Sequence, residues 1–121
     1  MPSYIRFETQ RRCARFRRRL GVFRMAGEVE ESTDLPAVTA EWLQETLDWF
    51  NHNLIIPKYD RVDRRGVFWF RSEASDVINR MWELVVILQD EGVPVDIRRT
   101  TRPGQIVYCD DQQIAAIPFR R

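Results

Sequence analysis

Apolar and polar side chains alternate near the start of the chain and predict two β-strands. In residues 3–9, Ile5 and Phe7 alternate with Tyr, Arg and Glu, which is the period of two expected for a strand. Residues 19–26, "RLGVFRMA", show a second alternation of the same kind. The simplest connection between such strands is an antiparallel hairpin. We therefore predict a basic hairpin arm over residues 10–19.

Helical periodicity marks two longer segments. Thr39 is expected to cap a helix over residues 40–52, and Ser72 to cap a second helix over residues 73–91, which Gly92 ends. The first helix is expected to bury one apolar stripe, made of Leu43, Leu47, Phe50 and Leu54. The second is expected to bury Ala74, Val77, Ile78, Met81, Leu84, Val85 and Leu88, with Trp82 at the margin of that face.

Further strand signals complete the predicted domain. Residues 66–70, "GVFWF", are apolar on both faces and indicate an interior strand. Residues 94–99 alternate, and two strands flank the Asp110-Asp111 pair, a strong hairpin signal. The order β-β-α-β-α-β-β-β predicts an α+β two-layer sandwich, with two helices on one face of a mixed, mostly antiparallel sheet. A length of 121 residues fits a single domain over residues 1–121.

Charge is divided sharply along the chain, although the formal net charge is only +1. Residues 1–27 contain eight Arg and one Glu, which gives +7, whereas residues 28–60 sum to −7. Residues 27–38 are acidic and contain both Gly and Pro, so we predict an acidic loop there. The asymmetry favours an anionic partner for the basic end, or pairing of the two segments with each other.

Few patterns in the sequence favour catalysis. The single histidine, His52, falls at the predicted end of the first helix, where it can bind terminal carbonyls. Metal-ligand spacing and phosphate-binding glycine loops do not occur. We therefore expect no catalytic residue, no metal and no cofactor. Residues 65–71, "RGVFWFR", partly match the RNP1 pattern of RNA recognition motifs, but a valine and a phenylalanine break the pattern and the element order differs, so that family is rejected.

The arginine-rich stretch is the best candidate for a site. Seven arginines fall within residues 11–24, and a strand there would align several guanidinium groups on one face. Their planar forks suit phosphate and carboxylate. We predict a non-catalytic binding module that engages nucleic acid, RNA or DNA, or a nucleoprotein through this arm. The predicted contacts are Arg11, Arg12, Arg15, Phe16, Arg17, Arg18, Arg19 and Arg24.

Other functions stay open at this point. The chain could be a protein-interaction subunit or inhibitor that uses its opposite charge poles. It could also be a small enzyme for an acidic or phosphorylated metabolite, which would require a pocket that gathers His52, Tyr59 and Asp60. The arm could instead be a solvated loop, or dock on the chain's own acids. Without a bilayer-length apolar run or an apolar leader before the first charges, no membrane partner and a cytoplasmic location are expected, and the oligomeric state is left open.

Overall fold

A six-stranded sheet and three helices are found in the computed structural model, which describes residues 2–12, 19–31, 34–55, 57, 63 and 65–119. All strand pairings in these ranges are antiparallel, and the α+β class is confirmed. The strands are β1 (Tyr4–Arg12), β2 (Arg19–Gly21), β3 (Val67–Arg71), β4 (Val95–Thr100), β5 (Gln105–Cys109) and β6 (Gln113–Ile117). The helices are α1 (Val22–Glu30), α2 (Ala37–Asn53) and α3 (Ser75–Asp90).

Strand β1 connects the two halves of the sheet. One edge of β1 pairs with β4 from Tyr4 to Thr9. The other edge pairs first with β3, at Tyr4 and Ile5, and then with β2, from Glu8 to Arg12. Strands β6 and β5 continue the sheet beyond β3. The predicted β3-α3-β4 crossover therefore joins two strands that have β1 between them, rather than direct neighbours.

The three helices cover one face of the sheet and form the main core with it. Met81 is buried and Trp82 is 41% exposed, as predicted for the core side and the margin of α3. Ile87 is also buried, which the prediction missed, whereas Ala74 and Ile78 are only half-buried. The buried side chains of this core are Ile5, Phe7, Val22, Ala26, Leu43, Phe50, Phe70, Val77, Met81, Leu84, Val85, Ile87 and Leu88.

The opposite face of the sheet carries a smaller apolar cluster built from strand residues. Trp69 of β3 lies opposite Ile114 of β6, so the two side chains share this face. The cluster comprises Tyr4, Val67, Trp69, Ile114 and Ala116. Strand β3 is thus buried on both faces at Trp69 and Phe70, which confirms that it is an interior strand.

The predicted second strand is wrong beyond Gly21, because Val22–Glu30 forms helix α1. Val22, Met25, Ala26 and Val29 are spaced as i, i+3, i+4 and i+7, and all four pack into the main core. The segment therefore fits both the period of two of a strand and the 3.6-residue period of a helix. Burial of its apolar residues in the main core favours the helix. The predicted acidic loop over residues 27–38 is wrong at both ends, since α1 continues through Glu30 and α2 begins at Ala37.

Two predicted helix caps are also wrong. Helix α2 begins earlier than expected, after Pro36, whose φ of −56° is already compatible with a helix start. Helix α3 begins after Ala74, and Ser72 instead accepts a hydrogen bond from the Ser3 hydroxyl across 2.7 Å. The end of α3 is confirmed: Gly92 follows it with φ of +82°, a conformation that glycine adopts readily.

Candidate functional site

The basic arm is flanked by the hairpin of β1 and β2. Beyond Thr9, β1 pairs with β2 alone among the strands that the structure describes, and Arg12 lies opposite Arg19. The end of the hairpin therefore extends past the rest of the described sheet. Arg11 and Arg12 end β1, and Arg19 begins β2. Four of the predicted contacts, Arg15, Phe16, Arg17 and Arg18, lie outside the described residues, and their roles stay predictions.

Helix α1 starts directly after β2 and brings Arg24 into its first turn. Gly21 precedes the helix and offers no capping side chain. Arg24 is exposed and makes no ion pair or hydrogen bond among the described residues. The last turn holds Glu28 and Glu30, with Glu31 directly after it. This order of charges is opposite to the one that the helix dipole favours, so positive potential is concentrated at the start of α1.

Arg6, by contrast, serves the fold. It lies where one edge of β1 changes partner from β3 to β2, and its Nη1 donates to the backbone oxygen of Phe68 across 3.0 Å. Its Nε donates to Glu8 Oε2 across 3.0 Å, and Nη1 of Arg98 lies 3.6 Å from Glu8 Oε1. Glu8 is only 3% exposed, so two guanidinium groups compensate a buried carboxylate. The arginines of the N-terminal segment therefore differ in role.

A cavity of about 370 Å³ opens beside the first turn of α1. Its volume is within the range of small-molecule sites. Its walls come from the end of β2, the start of α1, the segment after α2, helix α3, and strands β1, β3 and β6. Buried lining residues include Phe7, Val22, Phe70, Met81 and Gln113, and exposed ones include Phe23, Arg24, Ile55 and Phe68.

Gln113 supplies a polar group within this mostly apolar wall. The residue is 5% exposed, and its Nε2 donates to the backbone oxygen of Ile55 across 2.6 Å. That bond fixes the orientation of the amide, because only the NH₂ group can donate to a carbonyl. Among the hydrogen bonds of the described residues, none reaches Gln113 Oε1. Gln113, which lines the cavity, therefore keeps an acceptor oxygen that bonds to no described residue.

A hydrogen-bond network at the β5-β6 turn holds Gln113 in place. Asp110 Oδ1 accepts from the backbone N–H groups of Gln112 and Gln113, and its Oδ2 accepts from the Tyr108 hydroxyl across 2.6 Å. Burial raises the pKa of Asp110, but the hydrogen bonds from Tyr108, Gln112 and Gln113 outweigh it, and the net pKa is lowered. The same hydrogen bond to Asp110 raises the pKa of Tyr108 to about 12. The predicted turn at Asp110 is thus confirmed, and the hydrogen bonds that the Asp110 carboxylate accepts explain why the chain turns there.

The residues proposed for an enzymatic pocket are not brought together in the described part of the chain. His52 is exposed near the end of α2, with Nδ1 2.8 Å from the oxygen of Asp48, and it does not line the cavity. Tyr59 and Asp60 lie outside the described residues. The described ranges contain no group of three or more His, Cys, Asp or Glu that could hold a metal ion. None of their helices has the length and apolar character that a membrane span requires.

Arg24, a predicted contact from the sequence, lines the cavity, but the cavity itself was not predicted. Phe23, Phe68 and Gln113 come from three elements that are far apart in the chain, and no spacing pattern connects them. Comparison with protein-family models, curated proteins and solved structures finds no match. A function for the chain must therefore rest on the chemistry of its own residues.

Proposed function

We propose that the chain is a non-catalytic binding module that holds nucleic acid through the arginine-rich hairpin and the first turn of α1. The observation that carries the proposal is the continuity of β2 and α1. The strand that leaves the hairpin at Arg19 reaches Gly21 after about 7 Å. Arg24 then follows with no ion pair among the described residues. Positive charge thus continues from the hairpin into the helix start, where the helix dipole adds to it.

The position of the acids supports the same proposal. Glu30 is six residues beyond Arg24 in α1, which is a rise of about 9 Å along the helix axis. The helix therefore separates its basic start from its acidic end. A phosphate backbone can approach the start of α1 without first meeting the Glu30 carboxylate. Arginine is also well suited to phosphate, because its guanidinium donates two parallel hydrogen bonds.

A salt-dependent binding titration tests the proposal. Fluorescence anisotropy with labelled single-stranded and double-stranded oligonucleotides should show binding at ~50 mM salt, with an affinity that falls as salt rises. The slope of log affinity against log salt should be about −0.9 for each phosphate neutralised on a duplex and about −0.7 on a single strand. Absence of binding at low salt, or an affinity that salt does not change, would overturn the proposal.

Two charge-matched variants locate the interface. Replacement of Arg15, Arg17 and Arg19 together by alanine should weaken binding at least tenfold and change stability by no more than about 0.5 kcal/mol per site. The control replaces three exposed arginines elsewhere, at positions 65, 99 and 102, and changes the net charge equally. The control should bind nearly as well as the unaltered chain. Unfolding of the hairpin variant would show that the arm is part of the fold. A folded hairpin variant that binds as well as the unaltered chain would overturn the arm as the interface.

A further inference from the structure

The cavity beside α1 combines three chemical features. Its exposed rim includes the aromatic rings of Phe23 and Phe68, which are 38% and 37% exposed. Gln113 is 95% buried, and its acceptor oxygen Oε1 receives no hydrogen bond from any of the described residues. Arg24 supplies a cation at the edge. The lining therefore suits a ligand with a flat apolar body, an N–H donor and an anionic group.

The start of α1 explains where the anionic group of such a ligand would lie. The first N–H groups of a helix have no partner within the helix, and Gly21 provides no capping side chain. Gly21, Val22, Phe23 and Arg24 all line the cavity. The first turn contains no acidic residue. Backbone donors, the helix dipole and a guanidinium group thus act on the same side of the cavity.

We propose that this cavity binds one unstacked nucleotide, its base between the aromatic rim and Gln113 and its phosphate at the first turn of α1. This inference rests on the proposed function, because the nucleotide would belong to the strand that the hairpin holds. Each of the common bases has a π face and at least one N–H donor, so Gln113 Oε1 can accept from any of them. A free nucleotide has the same chemistry, and the experiment distinguishes the two sources.

The first experiment separates base recognition from phosphate recognition. Three probes are titrated at the same salt concentration: a ten-nucleotide oligo(dA), a strand of equal length made only of abasic sites, and AMP. The oligo(dA) should bind roughly 5- to 150-fold more tightly than the abasic strand, the effect expected for stacking of one base. Equal affinity for the two strands would overturn the inference and leave the proposed function intact. Failure of both strands to bind would overturn the proposed function itself.

The AMP titration identifies the source of the nucleotide. Saturable AMP binding that Phe68→Leu weakens would assign the cavity to nucleotides in free or strand form. Binding of oligo(dA) without detectable AMP binding would assign it to a nucleotide within a strand. AMP binding that Phe68→Leu leaves unchanged would contradict the cavity as the site.

A pair of phenylalanine variants tests the aromatic rim. Phe68→Leu keeps an apolar side chain but removes the ring, and it should reduce the preference for oligo(dA) over the abasic strand by at least fivefold. Phe119→Leu is the matched control, since Phe119 is 58% exposed and does not line the cavity. Equal effects of the two variants would overturn the inference.

A variant of Arg24 tests the proposed phosphate position without altering the hydrophobic core. Arg24→Gln removes charge at an exposed position and should weaken both oligo(dA) and AMP at least threefold, because each presents a phosphate to the first turn. Circular dichroism should show an unchanged fold, since the side chain has no partner among the described residues. Unaltered affinity for both probes would place the phosphate elsewhere and contradict the proposed orientation.

Discussion

Replacement of Gly104 by alanine should be the most damaging glycine-to-alanine change among the five glycines of the chain. Gly104 has φ of +130°, a conformation that residues with a Cβ rarely adopt. An added Cβ would lie 2.0 Å from the backbone oxygen of Ile117 and 2.9 Å from Cα of Pro118. Both neighbours are backbone atoms, so the methyl group cannot be accommodated by a side-chain rotation.

The expected cost combines two contributions. A strained backbone conformation costs about 1–3 kcal/mol, and forcing extra volume into packed structure costs about 1–3 kcal/mol more. The contact involves Ile117, which pairs with Gln105 at the start of β5, so relief requires β5 and β6 to separate there. We expect Gly104→Ala to lower the free energy of unfolding by about 2–6 kcal/mol.

Two other glycines provide controls of the same chemistry. Gly92 has φ of +82° but nothing lies within 4 Å of its added Cβ, so Gly92→Ala should cost only about 1–2 kcal/mol. Gly27 lies in helix α1 with nothing within 4 Å of its added Cβ, and Gly27→Ala should stabilise the chain by about 0.5–1 kcal/mol.

Urea unfolding followed by circular dichroism measures all three variants on one scale. The expected order of stability is Gly27→Ala, then the unaltered chain, then Gly92→Ala, then Gly104→Ala. Equal losses for the last two would refute the close approach at Ile117. A loss of stability in Gly27→Ala would refute the assignment of this residue to a helix.

Two further predictions follow from burial and from titration. Leu88→Ala should lower the free energy of unfolding by about 2–5 kcal/mol because Leu88 is fully buried. Trp82→Ala should lower it by only about 1 kcal/mol, because Trp82 is 41% exposed. Urea unfolding measures both variants, and equal decreases in the free energy of unfolding would contradict the orientation of α3. The lowered pKa of Asp110 means that its charged form stabilises the fold above pH 3.8, its ordinary value, and that this contribution is lost as the pH falls below it. Between pH 6 and pH 3 the unaltered chain should therefore lose more of its free energy of unfolding than Asp110→Asn does, as measured by urea unfolding. Equal losses in the two proteins would show that Asp110 is not the titrating group.

The sequence by itself determined those helices, strands and turns for which the local patterns all indicate the same structure. The stripe of α2 and the buried face of α3 repeat at helical spacing over more than ten residues, which a strand cannot bury on one side. The turn at Asp110 was predictable because an aspartate side chain can bind the backbone N–H groups that follow it, as it does here at Gln112 and Gln113. The division of charge was also a property of the sequence alone, as was the presence of arginine at position 24.

Tertiary structure decided the points where local signals conflicted or where distant residues had to meet. The segment from Val22 to Glu30 fits a strand and a helix nearly equally, and burial of Val22 and Ala26 in the main core selects the helix. That selection turns Arg24 from a strand residue into a cation at a helix start. The cavity has the same origin, because Phe23, Phe68 and Gln113 approach one another only when α1 packs against the sheet that contains β3 and β6. Periodicity reports which side of a segment is apolar, but the packing partner determines what that side encloses.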